Sequence, residues 1–475
     1  MSGLAQAVRP EVSTDPRPDV RPDLAEVERR LLARWPETRI EPSLDRIRLL
    51  LDFLGTPQRR YRSVHLTGTN GKTSTARLVE ALLGATGHRT GRLTSPHLTS
   101  IRERIALDGH PIDEAGFVDA WRATEFQAEC VDAVMEHPLS FFEMTVAMGY
   151  LAFATAEVDT AVVEVGMGGR WDATNVIDAA VSVILPVALD HTDYLGPTTV
   201  DIAREKAGII APGSTVVSAR QSPEVLAVLQ ERADSVGARL LLLDRDFSVV
   251  ERSPVAGGQR ISVNGLHGSY ADVHLALRGR HQADNAACAL VAAEALLGHA
   301  LDPDAVRRAL AGVTSPGRLD VRRGRPTVVL DAAHNPHGAR SLVEGLEEIA
   351  PGHRQYAVVA AMADKDVEGL LRELAPNVTE IVCTANSSPR SLPAEELAAI
   401  ARTVFAPERV HLARSVETAL AVARGRAVPP GAARESVVVV TGSVVTVADA
   451  ERLLPAPPAG LPATPDRPMV QPLPG

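Results

Sequence analysis

A glycine turn between a strand and a helix is the first place in this chain where residue types and spacing could do chemistry. The segment runs Ser63-Val-His-Leu-Thr-Gly-Thr-Asn-Gly-Lys-Thr-Ser-Thr75. Backbone N–H groups at a helix N-terminus attract phosphate, and the helix dipole adds to the attraction. Gly68, Thr69, Asn70, Gly71 and Ser74 would wrap the phosphates of a nucleotide, Lys72 would neutralise the β/γ-phosphates and Thr73 could reach a magnesium ion. The usual phosphate loop has four residues between its glycines, whereas Leu66 stands here in place of the first glycine. An ordinary glycine turn would carry the same bare Gly-x-x-Gly-Lys-Thr.

Two further polar residues end apolar runs: Glu164 closes Thr160–Val165 and His191 follows Val181–Leu189. Strand ends of this kind form the ligand-binding edge of open α/β sheets. Magnesium prefers oxygen donors, so a histidine alone is poor grounds for a metal site. Lys206, within Arg-Glu-Lys-Ala-Gly, reads by itself as a solvated helix lysine. Among only 8 Phe, 5 Tyr and 3 Trp, the Phe141-Phe142-Glu143 and Trp171-Asp172-Ala173 segments stand out as material for a flat apolar slot, although a paired Phe equally suits a core. Arg170 and Asp172 are expected to pair and shape their loop.

These groups need a frame, and the hydrophobic pattern supplies one. Strands are expected at Ser63–Leu66, Thr160–Val165, Val181–Leu189 and Thr215–Ser218, with helices over Thr73–Leu83 and Phe142–Ala156 between them. An amphipathic helix through Leu24, Val27, Leu31 and Trp35 and another over Leu44–Leu54 come first. Short alternating segments between Phe247 and Leu277 predict a small antiparallel sheet. Helices over Gln282–Leu297 and Pro303–Leu310 lead to Pro316-Gly317, an expected hinge. Beyond it strands and helices alternate as in a doubly wound sheet.

The chain has 475 residues, 45% of them hydrophobic and 23% charged, enough for two or three domains. With so few aromatics, Val, Leu, Ala and Ile must build the core, which favours helices on aliphatic parallel strands. Lys and Arg number 49 against 59 Asp and Glu, a net charge of −10 that argues against nucleic acid or an anionic membrane as partner. Cys130, Cys288 and Cys383 form no Cys-x-x-Cys pair, as expected of a chain in a reducing cytoplasm. No signal-like apolar run opens the sequence, and none later is long enough to span a membrane. Four prolines in residues 1–22 and eight in 455–475 mark expected disordered tails. The expected domains are 23–314, carrying the phosphate loop, and a smaller Rossmann-like 315–454.

The unusual spelling of the loop is informative. GTNGKT after a strand resembles the nucleotide loop of the Mur ligase superfamily. TSPHL (94–98), FFEMT (141–145), EVGMGGRWDATNVID (164–178), LDHTDYLGPT (189–198), IAREKAGII (202–210), HQADNAA (281–287), PGRLD (316–320) and LDAAHNPHGA (330–339) follow in order. Together they resemble the folylpolyglutamate synthase branch, often bifunctional with dihydrofolate synthase in bacteria.

That resemblance implies an α/β fold, a Mur-ligase-like P-loop ATPase domain followed by a smaller doubly wound domain. Its activity would be ATP-dependent ligation of L-glutamate to dihydropteroate and to the γ-carboxylate of reduced folates. It also implies metal ligands at Thr73, Ser95, Glu164 and His191 for two magnesium ions, and a carbamylated Lys206 as a further ligand. Lys72, His191 and Lys206 would be catalytic. Asn285, Arg318 and Asp331 would contact ATP, with His334 a candidate phosphate or ribose contact, and Phe141–Glu143 with Trp171–Ala173 would line the pteroate or folate site. Ile40-Glu-Pro-Ser-Leu-Asp-Arg46 resembles a dihydropteroate-binding stretch, though Glu41-Pro42 departs from the family's pattern. A monofunctional synthase, another Mur-type ligase and an ATP-binding regulatory or hydrolase module are the alternatives. No N-terminal UDP-binding domain is recognisable, which weighs against a peptidoglycan ligase. A monomer is expected.

Overall fold

The structure, a computed structural model, describes residues 22–36, 41–428 and 436–454. The expected tails, apart from Pro22, and Ile40 lie outside them. Eight strands form the first sheet: β1 (Arg62–Thr67), β2 (Thr90–Leu93), β3 (Ile105–Leu107), β4 (His110–Pro111), β5 (Thr160–Glu164), β6 (Val181–Ile184), β7 (Thr215–Ser218) and β8 (Arg239–Leu242). Their order is β4-β3-β2-β5-β1-β6-β7-β8, with β1 carrying the glycine turn near the centre. β1, β2, β5, β6, β7 and β8 run parallel, and β3 and β4 pair antiparallel at one edge.

Helices cover both faces of this sheet. α1 (Leu24–Leu32), α2 (Asp45–Phe53), α4 (Glu114–Val134) and α5 (Phe141–Thr155) pack with Ala161 and Val163 of β5 on one side. α3 (Lys72–Ala85) lies on the other with Val64 and Leu66. Alternate residues of a strand face opposite ways, which is why apolar residues in succession serve two cores. α6 (Thr192–Leu195), α7 (Thr199–Ala207) and α8 (Pro223–Ser235) follow the central strands. The expected antiparallel sheet is present as β9 (Ser248–Val255), β10 (Gly258–Asn264) and β11 (Ser269–Leu275), packed in the same core as α3, α9 (Arg280–Leu297) and α10 (Pro303–Gly312).

The C-terminal body holds β12 (Asp320–Arg322), β13 (Thr327–Leu330), β14 (Arg354–Val359), β15 (Val378–Cys383), β16 (Val410–Leu412) and β17 (Ser436–Thr441), in the order β12-β13-β17-β14-β15-β16. Only β12 is antiparallel to its neighbour. α11 (Pro336–Ile349), α12 (Val367–Leu374) and α13 (Ala394–Val404) cover one face, joining Val437 and Val439. α14 (Val416–Ala427) and α15 (Val444–Glu451) cover the other, joining Val438 and Val440. This is the doubly wound arrangement expected.

One strand is shorter than its apolar run suggests. β6 stops at Ile184 rather than Leu189, because Pro186 lacks an N–H and the chain is diverted to the glycine turn. Leu185 N donates to Thr67 O at 2.8 Å, and Pro186 O accepts from Thr69 N at 2.9 Å.

Candidate active site at the seam of the two bodies

The glycine turn joins β1 to α3, and its shape depends on two glycines. Gly71 precedes α3 with φ +89°, a conformation costly for any residue with a Cβ, and a Cβ there would stand 2.9 Å from Asn285 Oδ1. Gly68 lies against Leu185, where a Cβ would come within 2.6 Å of Leu185 Cβ. No side chain caps α3, so its first N–H groups stay available to an anion. Lys72 Nζ donates to Gly68 O at 3.0 Å, and burial lowers its pKa. Thr69 Oγ1 donates to Ala188 O and accepts from Ala188 N, both at 3.0 Å, which ties the loop to the segment after β6.

The expected metal ligands surround this turn. Thr73 Oγ1 donates to Glu164 Oε1 at 2.9 Å. Glu164 is 2% exposed, its Oε2 is buried without a hydrogen-bond partner, and burial raises its pKa. A backbone hydrogen bond from Ser95 opposes that rise and brings the Ser95 loop to the same carboxylate. An orphaned buried carboxylate oxygen beside the Thr73 hydroxyl suits a hard cation. Lys206 is buried on α7, and its Nζ donates to Gly68 O at 3.0 Å. Lys72 and Lys206 thus share one carbonyl and lie at most 6.0 Å apart. Burial, and Lys72 after it, pull the Lys206 amine down to about 7. Among the described residues no three His, Cys, Asp or Glu converge as a metal cluster, so the candidate ligands are this mixed set.

His191 occupies a left-handed backbone position (φ +51°) at the start of α6. Its Nε2 is 3.1 Å from Lys365 Nζ, and burial brings its pKa down to about 4. Lys365 belongs to the C-terminal body and also donates to Asp190 Oδ1 at 2.6 Å. Asp190 Oδ2 lies 3.3 Å from His334 Nε2 and accepts from Asn335 Nδ2 at 3.0 Å. Burial alone would raise the Asp190 carboxyl, but the bond to His334 and the nearby cations hold it well below the usual carboxylate range. Asn70 completes the seam: its Nδ2 donates to Asn335 Oδ1 at 3.1 Å and lies 2.9 Å from His337 Nδ1.

Asn285, Arg318 and Asp331 are brought around the same turn from three elements. Asn285 Nδ2 donates to Gln282 Oε1 at 3.1 Å, and Gln282 Nε2 donates to Ser74 Oγ at 3.2 Å. Ser74 Oγ is 2.9 Å from Ser315 Oγ, linking α3 to the segment just before Arg318. Asp331, at the end of β13, accepts Leu319 N on one oxygen and Ala333 N on the other, at 2.8 and 2.9 Å. Its pKa is raised by burial, against the pull of Arg318.

Comparison with known proteins fits this geometry. The Mur ligase middle domain matches residues 66–293, and the Mur ligase glutamate ligase domain matches 317–444. A dihydrofolate synthase/folylpolyglutamate synthase of Mycobacterium tuberculosis is 46% identical over 463 residues, covering 92% of this chain and 95% of that protein. The solved M. tuberculosis folylpolyglutamate synthase complexed with ADP superposes with a TM-score of 0.87, covering 90% of this chain and 97% of that one at 46% identity. Escherichia coli FolC in complex with DHPP and ADP gives 0.80 at 30% identity, covering 91% and 97%. The chain belongs to the Mur ligase family, in its dihydrofolate synthase/folylpolyglutamate synthase branch.

In this Mur ligase the two aromatic segments meet. A Cβ on Gly166 would stand 2.6 Å from Phe142 Cζ and 3.2 Å from Asp172 Oδ2. Phe141 is buried under the guanidinium of Arg104, 4.7 Å from its ring centre, while Trp171 is 49% exposed. Glu143 is committed to the α5 N-terminus, where it accepts Ser140 N at 2.8 Å and pairs with Arg46 at 3.0 Å. Asp172 accepts Met167 N and Thr174 N, and burial raises its pKa. The expected Arg170–Asp172 pair is not formed: the amides and Thr174 take the carboxylate, and Arg170 lies over the Trp171 ring instead, 5.4 Å from its centre. Ala173 is buried beside them. The Gly166–Asp172 loop packs on α7, since a Cβ on Gly169 would meet Glu205 O and Lys206 O at 2.8 and 2.9 Å. The aromatic segments therefore lie within one loop of Lys206.

Sequence reasoning passed over Asp190, Asn335, His337 and Lys365. Asp190 adjoins a chosen histidine, and Asn335 and His337 stand inside the quoted Leu330–Ala339 segment, so proximity to named residues could have found them. Nothing local marks Lys365. Among the described residues no helix is long and apolar enough to cross a membrane.

Proposed function

We propose that this Mur ligase is a bifunctional dihydrofolate synthase/folylpolyglutamate synthase, an ATP-dependent ligase. It would join L-glutamate to dihydropteroate and to the γ-carboxylate of reduced folates. The single observation that carries the reading is the seam: Asn70 of the phosphate loop is bonded directly to Asn335 of the other body, beside His337. A nucleotide on that loop reacts between the two bodies, where water can be excluded.

A carboxylate oxygen of the pterin substrate attacks the γ-phosphorus, the bond to ADP breaks and an acyl phosphate forms. The amine of L-glutamate then attacks the acyl carbon, and phosphate departs as the amide forms. Lys72 and the open N–H groups of α3 hold the phosphates, and preorganised charge lowers the barrier. Asn285 keeps the loop in shape, and Arg318, Asp331 and His334 bind the nucleotide from the hinge and the C-terminal body. Phe141, Phe142 and Trp171 supply the apolar slot for the pterin, with Glu143, Asp172 and Ala173 setting its walls.

Thr73, Ser95 and Glu164 would hold one magnesium ion, and His191 with a carbamylated Lys206 a second. Bound magnesium supplies charge neutralisation at the transferred phosphoryl group. The residues fit: Glu164 has an unused buried oxygen, and the two crowded ammonium groups of Lys72 and Lys206 would cease to repel once Lys206 carried a carbamate. We take 23–314 and 315–454 as the two domains and a monomer in the cytoplasm as the working state.

The test is a coupled ADP-release assay with ATP and magnesium, comparing dihydropteroate, tetrahydrofolate and a UDP-muramoyl peptide with and without L-glutamate. Glutamate-dependent release with both pterin compounds is expected. Release with tetrahydrofolate alone reduces the proposal to a monofunctional synthase, and release independent of glutamate indicates a hydrolase module.

A further inference from the structure

Beside the phosphate loop lies a cleft that shares Thr73 and Arg318 with the proposed nucleotide site and extends past them to Arg77. Thr73, Arg77, Thr94 and Glu103 line it from the N-terminal body, with Arg318 and Val444 opposite. Arg77 lies four residues beyond Thr73, on the same face of α3 and about 6 Å further along its axis. Its Nε is buried without a hydrogen-bond partner. Burial and the neighbouring Arg92 pull its pKa down to about 10, against the opposing pull of Glu80, Glu103 and Glu164.

None of the acidic groups around Arg77 is hydrogen-bonded to it, and two of them are fully engaged elsewhere. Glu80 accepts Arg92 Nε at 2.6 Å on one oxygen and Gly109 N at 3.1 Å on the other. Glu103 accepts the amides of Leu98, Thr99 and Ser100 and the Thr99 hydroxyl. Glu164 is bonded to Thr73 through one oxygen, and its other oxygen is the one left for a cation. A partly buried guanidinium whose Nε has no hydrogen-bond partner costs a fold some stability. An anionic ligand would relieve that cost.

Lys72 and the α3 N-terminus already meet the nucleotide's phosphates, so the anion at Arg77 is a different one. A planar fork of N–H donors matches a carboxylate in two parallel hydrogen bonds. We propose that Arg77 binds a non-reacting carboxylate of the ligase's substrates across this cleft. The inference rests on the ligase reading. Two substrates carry such a group: L-glutamate, and a reduced folate through its α-carboxylate. Dihydropteroate carries none, because its single carboxylate is the one that reacts.

The experiment is steady-state kinetics of the full chain and its R77Q and R77K variants, with ATP, magnesium, L-glutamate and either dihydropteroate or tetrahydrofolate. R77Q is expected to raise one carboxylate KM about 30-fold while the KM for ATP stays unchanged, with R77K intermediate. A higher glutamate KM with dihydropteroate as co-substrate assigns the site to the amino acid. A higher tetrahydrofolate KM with glutamate unchanged assigns it to the folate. Unchanged values for both, or a rise confined to ATP, overturn the proposal. Thermal unfolding without substrates separates binding from a structural role: R77Q should melt no lower than wild type, and a drop of several degrees in both variants counts against the proposal. If wild type shows no glutamate-dependent turnover, the ligase reading fails. Active wild type with an R77Q that matches it sinks this inference alone.

Discussion

Lys365 Nζ lies 2.6 Å from Asp190 Oδ1 and 3.1 Å from His191 Nε2, so a cation of the C-terminal body is held by two consecutive residues of the N-terminal one. Both partners of the ion pair are under one tenth exposed. Removing one side of a buried pair leaves the other uncompensated, at a cost of about 3–5 kcal/mol. K365M is therefore expected to loosen the seam and lower kcat about tenfold or more. Small-angle scattering would show whether the variant is more extended; a K365M protein as compact and active as wild type would mean that the pair does not hold the two bodies together.

Gly71 offers a second check, on the phosphate loop. G71A must place a Cβ at φ +89° and displace Asn285, which strains the loop by about 1–3 kcal/mol. ADP affinity measured by calorimetry should fall about tenfold while the melting temperature changes little. Unaltered ADP binding would mean that nucleotide is held elsewhere.

The turn itself was legible because its information is contiguous: a strand, two glycines and Lys-Thr at the start of a helix. The doubly wound C-terminal body was legible for a similar reason, since apolar runs such as Val437–Val440 must feed two cores at once. What could not be read from the sequence depends on long-range partners. Lys365 meets Asp190 across 175 positions, and no periodicity links them. Val181–Leu189 read as one strand because all its apolar residues count alike, while Pro186 and the pull of the phosphate loop end it at Ile184. Asp172 was paired with Arg170 by nearness alone, whereas amides closer in space took the carboxylate.

The buried ion pair between Arg92 and Glu80 bears on stability more than on chemistry. Arg92 is 1% exposed and donates to Glu80 at 2.6 Å. R92M would strand a buried carboxylate, costing about 3–5 kcal/mol. Thermal unfolding should register a drop of several degrees, and the E80Q/R92M double variant should recover part of it. Equal melting for R92M and wild type would contradict the pair's structural role.

Glu103 gives a dependence on pH. Burial raises its carboxyl, but the Thr99 hydroxyl and the amides of Leu98, Ser100 and Thr99 outweigh that and leave the pKa below the ordinary 4.5. A carboxylate depressed in the folded state adds stability above its unfolded pKa, and the gain is lost as pH falls through the lower folded value. The loop from Leu98 to Ser100 should thus keep its hydrogen-exchange protection at pH 5 and lose it only below pH 4.5. E103Q should lack that protection even at neutral pH, and a loop that opens in wild type above pH 5 would show that another group holds it.

Lys206 carries the most chemical prediction. Its amine is buried within 6.0 Å of a second ammonium, so converting it to an anionic carbamate would exchange repulsion for attraction at the phosphate loop. Protein equilibrated with 13C-bicarbonate should show one enriched carbamate carbon by NMR, absent from K206A, and K206A should lose about 100-fold or more in kcat. K206E would place a carboxylate nearby on a shorter stem and should restore part of that loss. Full activity in K206A, or a spectrum without a carbamate carbon under turnover conditions, would remove the modification from the mechanism and leave Glu164, Ser95 and Thr73 as the proposed anchor for magnesium.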